Sequence, residues 1–133
     1  WFEIKNISEG VASVEALPKE YRGLLVTAIA EAALTKKADA VNLTKDLFWS
    51  IVAQDVVGRS TLLEAFAPVM KTLPDVAIDA PGAFNFVVVL LLGIPVTKDE
   101  LDELANKMES EEGEEEVEYA KENLTKAWEK ATA

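Results

Sequence analysis

Residues 83–92, Ala-Phe-Asn-Phe-Val-Val-Val-Leu-Leu-Leu, decide the fold class of this chain. A segment that is apolar on all sides is typical of a helix buried at the centre of a bundle. The three consecutive valines also favour a buried strand, but the sequence offers no second strand with which it could pair. We therefore predict a buried helix here, which Gly93 and Pro95 bring to an end.

On both sides of this segment, apolar residues recur at helical spacing along almost the whole chain. Asn6 followed by Glu9, and Thr97 followed by Glu100, are typical helix starts, because the first side chain accepts a backbone N–H three residues later. Further helices are predicted after Pro18, over about 38–53, after Ser60 and over the apolar stripe 117–131. Such a series predicts an all-α fold of stacked antiparallel helix hairpins, a HEAT-like or α-solenoid-type bundle.

The segment Leu73–Asp79 is predicted to be a short loop between two of these helices. It contains Pro74, and it leads into Asp79-Ala80-Pro81. Asp is a good N-cap and Pro suits a first helical turn, so we expect Asp79 to open the buried helix. Pro68 lies inside the preceding apolar pattern and is expected to kink or shorten that helix.

Composition argues against most kinds of enzyme. The chain has 133 residues, enough for one ordinary domain. It contains no cysteine and no histidine, which excludes disulfides, thiolate metal sites and Ser-His-Asp or Cys-His relays. It also lacks a GxxxxGK phosphate loop and a nucleophile elbow. We predict that the chain is not an enzyme and uses no cofactor or metal.

The net charge of −11 is distributed unevenly. Residues 99–133 hold 13 acidic and 4 basic residues, a net charge of −9, whereas residues 1–98 hold 11 acidic and 9 basic residues, a net charge of −2. Direct binding to nucleic acid is not expected, because it needs clustered Lys and Arg, and a basic protein partner is favoured instead. The apolar runs are far shorter than the roughly 20 residues that cross a bilayer, so no membrane span is expected.

We divide the chain into a helical domain, residues 1–108, and a C-terminal segment, residues 109–133. The acidic run Glu111–Glu118, interrupted by Gly113, is predicted to be solvated and loosely ordered. The apolar stripe that follows predicts an amphipathic helix, which either packs on the domain or supports self-association. The three tryptophans are interpreted as packing residues: Trp1, Trp49 and Trp128.

Three stretches, taken in order, resemble the MA-3 domain, a HEAT-like helical module of translation initiation factor 4G and programmed cell death protein 4. They are residues 1–17 (WFEIKNISEGVASVEAL), the helix after Pro18, and residues 73–91 (LPDVAIDAPGAFNFVVVLL). The last is the most specific, because it is similar to the family's acidic and apolar segment before a long apolar helix. The resemblance covers about residues 1–92, and it implies that the family's first helix is truncated here.

The resemblance implies a cytoplasmic adaptor without catalytic activity. Family members bind the DEAD-box RNA helicase initiation factor 4A through acidic residues of the inter-helix loop. The matching positions here are Asp75 and Asp79, which the resemblance makes the candidate partner-binding residues.

Two alternatives stay open at this point. Asp79 could serve only as a helix cap, and Asp75 only as a solvated turn residue. The chain would then be a purely structural helical module or a self-assembly module with no helicase contact.

Overall fold

A computed structural model describes residues 1–94 and 96–133, and within these residues the chain is helical, with no strand. The all-α prediction is therefore confirmed, and the alternative of a strand over the valine run is excluded. The helices are α1 (Ile7–Glu15), α2 (Lys19–Ala33), α3 (Ala38–Ala53), α4 (Arg59–Asp79), α5 (Ala83–Leu92), α6 (Lys98–Ala105) and α7 (Glu114–Thr132).

The helices pack in two series. Along the odd-numbered series, α1 contacts α3, α3 contacts α5, and α5 contacts α7. Along the even-numbered series, α2 contacts α4, and α4 contacts α6. Each helix thus packs mainly on the helix two places along the chain, and contacts between α1 and α2, α2 and α3, and α4 and α5 join the two series.

Helix α5 is the centre of the core, as its composition predicts. Val87, Leu90 and Leu91 have no solvent-exposed surface. The approach of α5 to α3 is close at Gly93, where a Cβ atom would lie 2.5 Å from the carbonyl oxygen of Lys45. Glycine is therefore required directly after α5 for packing, whereas its backbone angles, φ −71° and ψ −16°, are ones that any residue can adopt. The second predicted helix stop, Pro95, lies outside the described residues.

Local side-chain caps open two of the helices where the sequence predicts them. At α1, the Asn6 side chain accepts the backbone N–H of Glu9 at 3.0 Å. At α6, Thr97 Oγ1 accepts the N–H of Glu100 at 3.2 Å, and Glu100 Oε1 accepts the N–H of Thr97 at 3.0 Å. This reciprocal pair is the capping box that the Thr-Lys-Asp-Glu sequence predicts.

The predicted loop over Leu73–Asp79 is wrong, because these residues form the last two turns of α4. Neither Pro68 nor Pro74 ends the helix. The physical reason is burial: Leu73, Pro74 and Ala77 continue the inward stripe of the helix at spacings of one and four residues. Burial of these side chains offsets the backbone hydrogen bond that each interior proline removes.

The loose order predicted for Glu111–Glu118 is also wrong for residues 114–118, which begin α7. Glu114, Glu115 and Glu116 occupy its first turn, where negative charge interacts favourably with the helix dipole. The apolar stripe of α7 is buried at Ala120, Leu124 and Ala127, and the helix packs on α5 and α4. The amphipathic helix is thus docked within the chain.

The tryptophans differ in their environments. Trp1 packs over Gly10, and its indole N–H donates to the hydroxyl of the buried Thr44 at 3.0 Å. Trp128 is partly buried against the core. Trp49 does not pack as predicted, since 61% of its surface is exposed on α3.

Candidate functional site

The two predicted site residues lie one helical turn apart at the C-terminal end of α4. Positions i and i+4 of a helix share a face, so the carboxylates of Asp75 and Asp79 are neighbours on one surface. Ile78 stands between them in sequence and is 52% exposed. We call these three residues the α4 acidic end.

Asp79 is not the N-cap of α5, which corrects the predicted cap role. It is the last residue of α4, and Gly82 occupies the cap position of α5, with no side-chain cap bond. Within the described residues, the exposed Asp79 side chain has no hydrogen bond or ion pair. Negative charge at a helix C-terminus is unfavourable, and no basic residue occupies the last turn of α4. The stability of the fold therefore does not explain an aspartate here.

Asp75 is half-buried and has a specific partner. The hydroxyl of Ser110 donates to Asp75 Oδ1 at 2.8 Å. Ser110 belongs to the segment 106–113 that joins α6 to α7, which we call the strap. Asp75 is therefore not a solvated turn residue, and among the described residues its second carboxylate oxygen has no partner.

The strap crosses the C-terminal half of α4 and brings further acidic residues to it. The backbone N–H of Glu109 donates to the carbonyl of Lys71 at 3.0 Å, and the two side chains form an ion pair at 3.5 Å. Met108, within the strap, is buried. Glu111 and Glu112, which follow Ser110, are exposed. The acidic run is thus placed beside Asp75, a juxtaposition that sequence reasoning missed.

Ile78 was missed as well, although a signal for it exists. The buried stripe of α4 includes Leu73 and Ala77, so continuation of the helix phase through Pro74 would place Ile78 off the stripe and beside Asp75. An exposed β-branched residue between two acids offers a partner an apolar contact next to the charges. The prediction of a loop concealed this arrangement.

A separate charged pair lies at the start of α6. Arg59 Nη1 donates to Glu100 Oε2 at 2.9 Å, and Arg59 Nη2 makes a second bond to Glu100 Oε1. The guanidinium, followed by the backbone N–H of Thr97, lowers the pKa of Glu100 from 4.5 to about 2. The pair clamps α4 to α6 and completes a cap, so its role is structural.

The described part of the chain was also searched for metal sites, membrane-spanning helices and surface grooves. Residues 1–94 and 96–133 contain no group of three or more carboxylates arranged to hold a metal ion. None of the helices described there combines the length and the apolar character that crossing a bilayer requires. A surface groove of about 250 Å³ between α4 and α6 is lined by Leu63, Glu64, Ala67, Glu100, Glu103, Leu104 and Lys107.

The chain was compared with models of protein families, with curated proteins and with solved structures, and none of the three comparisons gave a match.

Proposed function

We propose that this chain is a protein–protein interaction domain of a cytoplasmic translation initiation scaffold or regulator. It binds the DEAD-box RNA helicase initiation factor 4A, and the contact is made by the α4 acidic end. The helicase is named by the MA-3 resemblance of residues 1–92. The observation that carries the proposal is the pair of adjacent carboxylates, one of which has no role in the fold.

The packing order supports the HEAT-like part of the proposal. In stacked helix hairpins, the first helices of successive pairs form one layer and the second helices form another. The series α1–α3–α5–α7 and α2–α4–α6 have this order. The α4 acidic end then lies beside the turn that joins α4 to α5, and connecting segments of this kind commonly carry binding residues.

The chemistry of the site favours a partner that offers Arg or Lys. Two carboxylates on one helix face attract a basic surface at long range, and this attraction weakens as salt is added. Ile78 adds apolar area that a partner would remove from water. The nearly neutral charge of residues 1–98 makes these acids distinctive within that part of the chain.

Titration calorimetry with initiation factor 4A tests the proposal. Asp79→Lys should abolish measurable binding without unfolding the domain, since the loss of one partner of a desolvated charge pair costs about 2–5 kcal/mol. Asp75→Asn keeps an acceptor for Ser110 and removes only the charge, so it should weaken binding and leave melting nearly unchanged.

The matched control is Asp46→Lys. Asp46 is exposed on α3, which packs on α1 and α5. Its substitution by Lys changes the net charge by the same amount as Asp79→Lys. It should bind like the parent. If folded Asp75→Asn and Asp79→Lys also bind like the parent, the α4 acidic end is not the helicase site.

A further inference from the structure

Ser110 lies where the strap is fastened to α4. Its Oγ donates to Asp75 Oδ1 at 2.8 Å and accepts the backbone N–H of Glu112 at 3.1 Å. One hydroxyl therefore holds the strap to the helix and also holds the turn that follows it. The adjacent bond from Glu109 N–H to the Lys71 carbonyl completes the fastening.

The sequence around Ser110 is acidic on both sides. Residues 109–118 read Glu-Ser-Glu-Glu-Gly-Glu-Glu-Glu-Val-Glu, in which Ser110 is the only hydroxyl and no residue is basic. Glu109, Glu111 and Glu112 are exposed, and none of the residues from 106 to 113 belongs to a helix. A kinase with a basic substrate groove recognises such charge patterns, and it needs an irregular segment that it can bind in extended form.

We propose that Ser110 is a phosphorylation site for an acidophilic protein kinase and that its phosphorylation releases the strap from α4. In the reaction, Ser110 Oγ forms a bond to the γ-phosphorus of ATP. The bond between that phosphorus and the oxygen bridging to the β-phosphate breaks, and ADP leaves with the electron pair. The hydroxyl proton passes to the catalytic base of the kinase.

Release follows from the contact with Asp75. Phosphorylation removes the proton with which Ser110 binds Asp75 and adds a charge of about −1.5 to −2 at the same place. Asp75 is itself a carboxylate, and the side chains on either side of Ser110 are acidic, so Asp75, Glu109 and Glu111 repel the phosphate. Two lysines lie nearby, and each is already paired with a glutamate: Lys71 with Glu109 at 3.5 Å, and Lys121, which lines the same groove as Ser110, with Glu118 at 3.8 Å. The strap therefore separates from the helix.

Thr97 provides an internal comparison. It also has acidic residues shortly after it, Asp99 and Glu100. However, its hydroxyl accepts the N–H of Glu100 in the capping box, and the residues after it are the first turn of α6. A kinase would have to unwind that turn to bind it. The acidic residues near Ser110 and Thr97 do not by themselves show which hydroxyl a kinase would modify. The structure favours Ser110, because it lies outside the helices.

The first experiment locates the phosphate. The full chain is incubated with ATP and an acidophilic serine/threonine kinase, and the modified residue is identified by mass spectrometry. We expect one phosphate, on Ser110, and none on the Ser110→Ala variant. The absence of phosphate from Ser110, or modification of Thr97 in its place, would overturn the proposal.

The second experiment measures release of the strap. Phosphoserine is installed at position 110, and amide hydrogen exchange is followed across the chain. Exchange at the Glu109 N–H should become about tenfold faster or more, while amides of α1 to α3 keep their rates. An unchanged rate at Glu109 would show that the phosphate is accommodated without release.

A substitution at Asp75 shows whether the strap is released by charge repulsion between the phosphate and Asp75 or by the size of the phosphate group. Asp75→Asn removes the charge and supplies an N–H₂ group that can donate to the phosphate, so phosphoserine 110 should accelerate Glu109 exchange far less in this variant. Asp79→Asn, with the same chemical change one turn away, should leave the acceleration intact. Equal acceleration in both variants contradicts the assigned mechanism. The site of phosphorylation and the amide exchange rates are measured without the helicase, so their outcome does not depend on the proposed function.

Discussion

The start of α6 and the C-terminal half of α4 show two different reasons for a segment to be helical. At α6, the capping box of Thr97 and Glu100 and the ion pair between Lys98 and Asp102, at 2.6 Å, lie within a few residues of each other. In α4, two prolines interrupt the backbone hydrogen bonds, and two aspartates oppose the helix dipole. Local interactions define where α6 begins, although Arg59 of α4 also binds Glu100 there, whereas tertiary burial accounts for the C-terminal half of α4.

This difference explains which parts of the fold were predictable. Capping residues and helical periodicity act within one turn, and they predicted α1, α5 and the start of α6 from the sequence. The helicity of Leu73–Asp79 depends on side chains from other helices that cover Leu73 and Ala77, and no window of sequence contains those neighbours. Pro74 and Asp79 are turn residues by their local chemistry, and that chemistry is overridden here.

The candidate site divides in the same way. Asp75 and Asp79 could be named from the sequence, because the resemblance gave their positions. Those positions are the same whether the segment is a loop or a helix. The contact between Ser110 and Asp75 joins residues 35 positions apart, and only the fold brings them together. The cap role of Asp79 was inferred from the residues that follow it, and it failed because the helix before it continues.

The largest effect is expected from removing the burial that holds the C-terminal half of α4. Leu73 is fully buried, so Leu73→Ala should lower the free energy of unfolding by about 2–5 kcal/mol, measured by urea denaturation. Leu24→Ala makes the same chemical change at a position that is 68% exposed on α2. It should change stability by no more than about 0.5 kcal/mol. Equal losses would contradict tertiary burial as the cause.

Pro68→Ala tests the local cost that burial offsets. Pro68 is exposed within α4, so its removal restores a helical N–H and sacrifices little packing. An interior proline destabilises a helix by about 3 kcal/mol relative to alanine. Alanine also makes the unfolded chain more flexible, which reduces the gain in stability by up to about 1 kcal/mol. We expect the variant to be more stable by about 2 kcal/mol in thermal melting. Pro18→Ala, at the exposed N-cap of α2, should give no such gain, because a first-turn N–H needs no helical partner.

Thr97→Ala tests the local side of the comparison. Loss of the N-cap should cost about 1 kcal/mol, and hydrogen exchange should show the opening mainly in the first turn of α6. Thr97→Ser keeps the hydroxyl and should preserve most of the stability. A loss that spreads to α4 and α5 would contradict a local role for the Thr97 cap.

The smallest effect, and the most specific, concerns the charge of Glu100. Its pKa is lowered to about 2, first by Arg59 and then by the N–H of Thr97. A carboxyl group whose pKa is lower in the folded state adds stability above its ordinary pKa of 4.5, and this contribution disappears as the pH falls through about 2.

Gln at this position keeps the capping box but removes the ion pair with Arg59. Glu100→Gln should therefore melt slightly below the parent at pH 7, and the gap should close between about pH 5 and 2. The gap should also shrink in high salt, because the pair is partly exposed. Glu103→Gln, an exposed position on the same helix, controls for the loss of one negative charge. A gap that stays constant over this pH range would mean that the ion pair does not contribute to the stability of the α4–α6 contact.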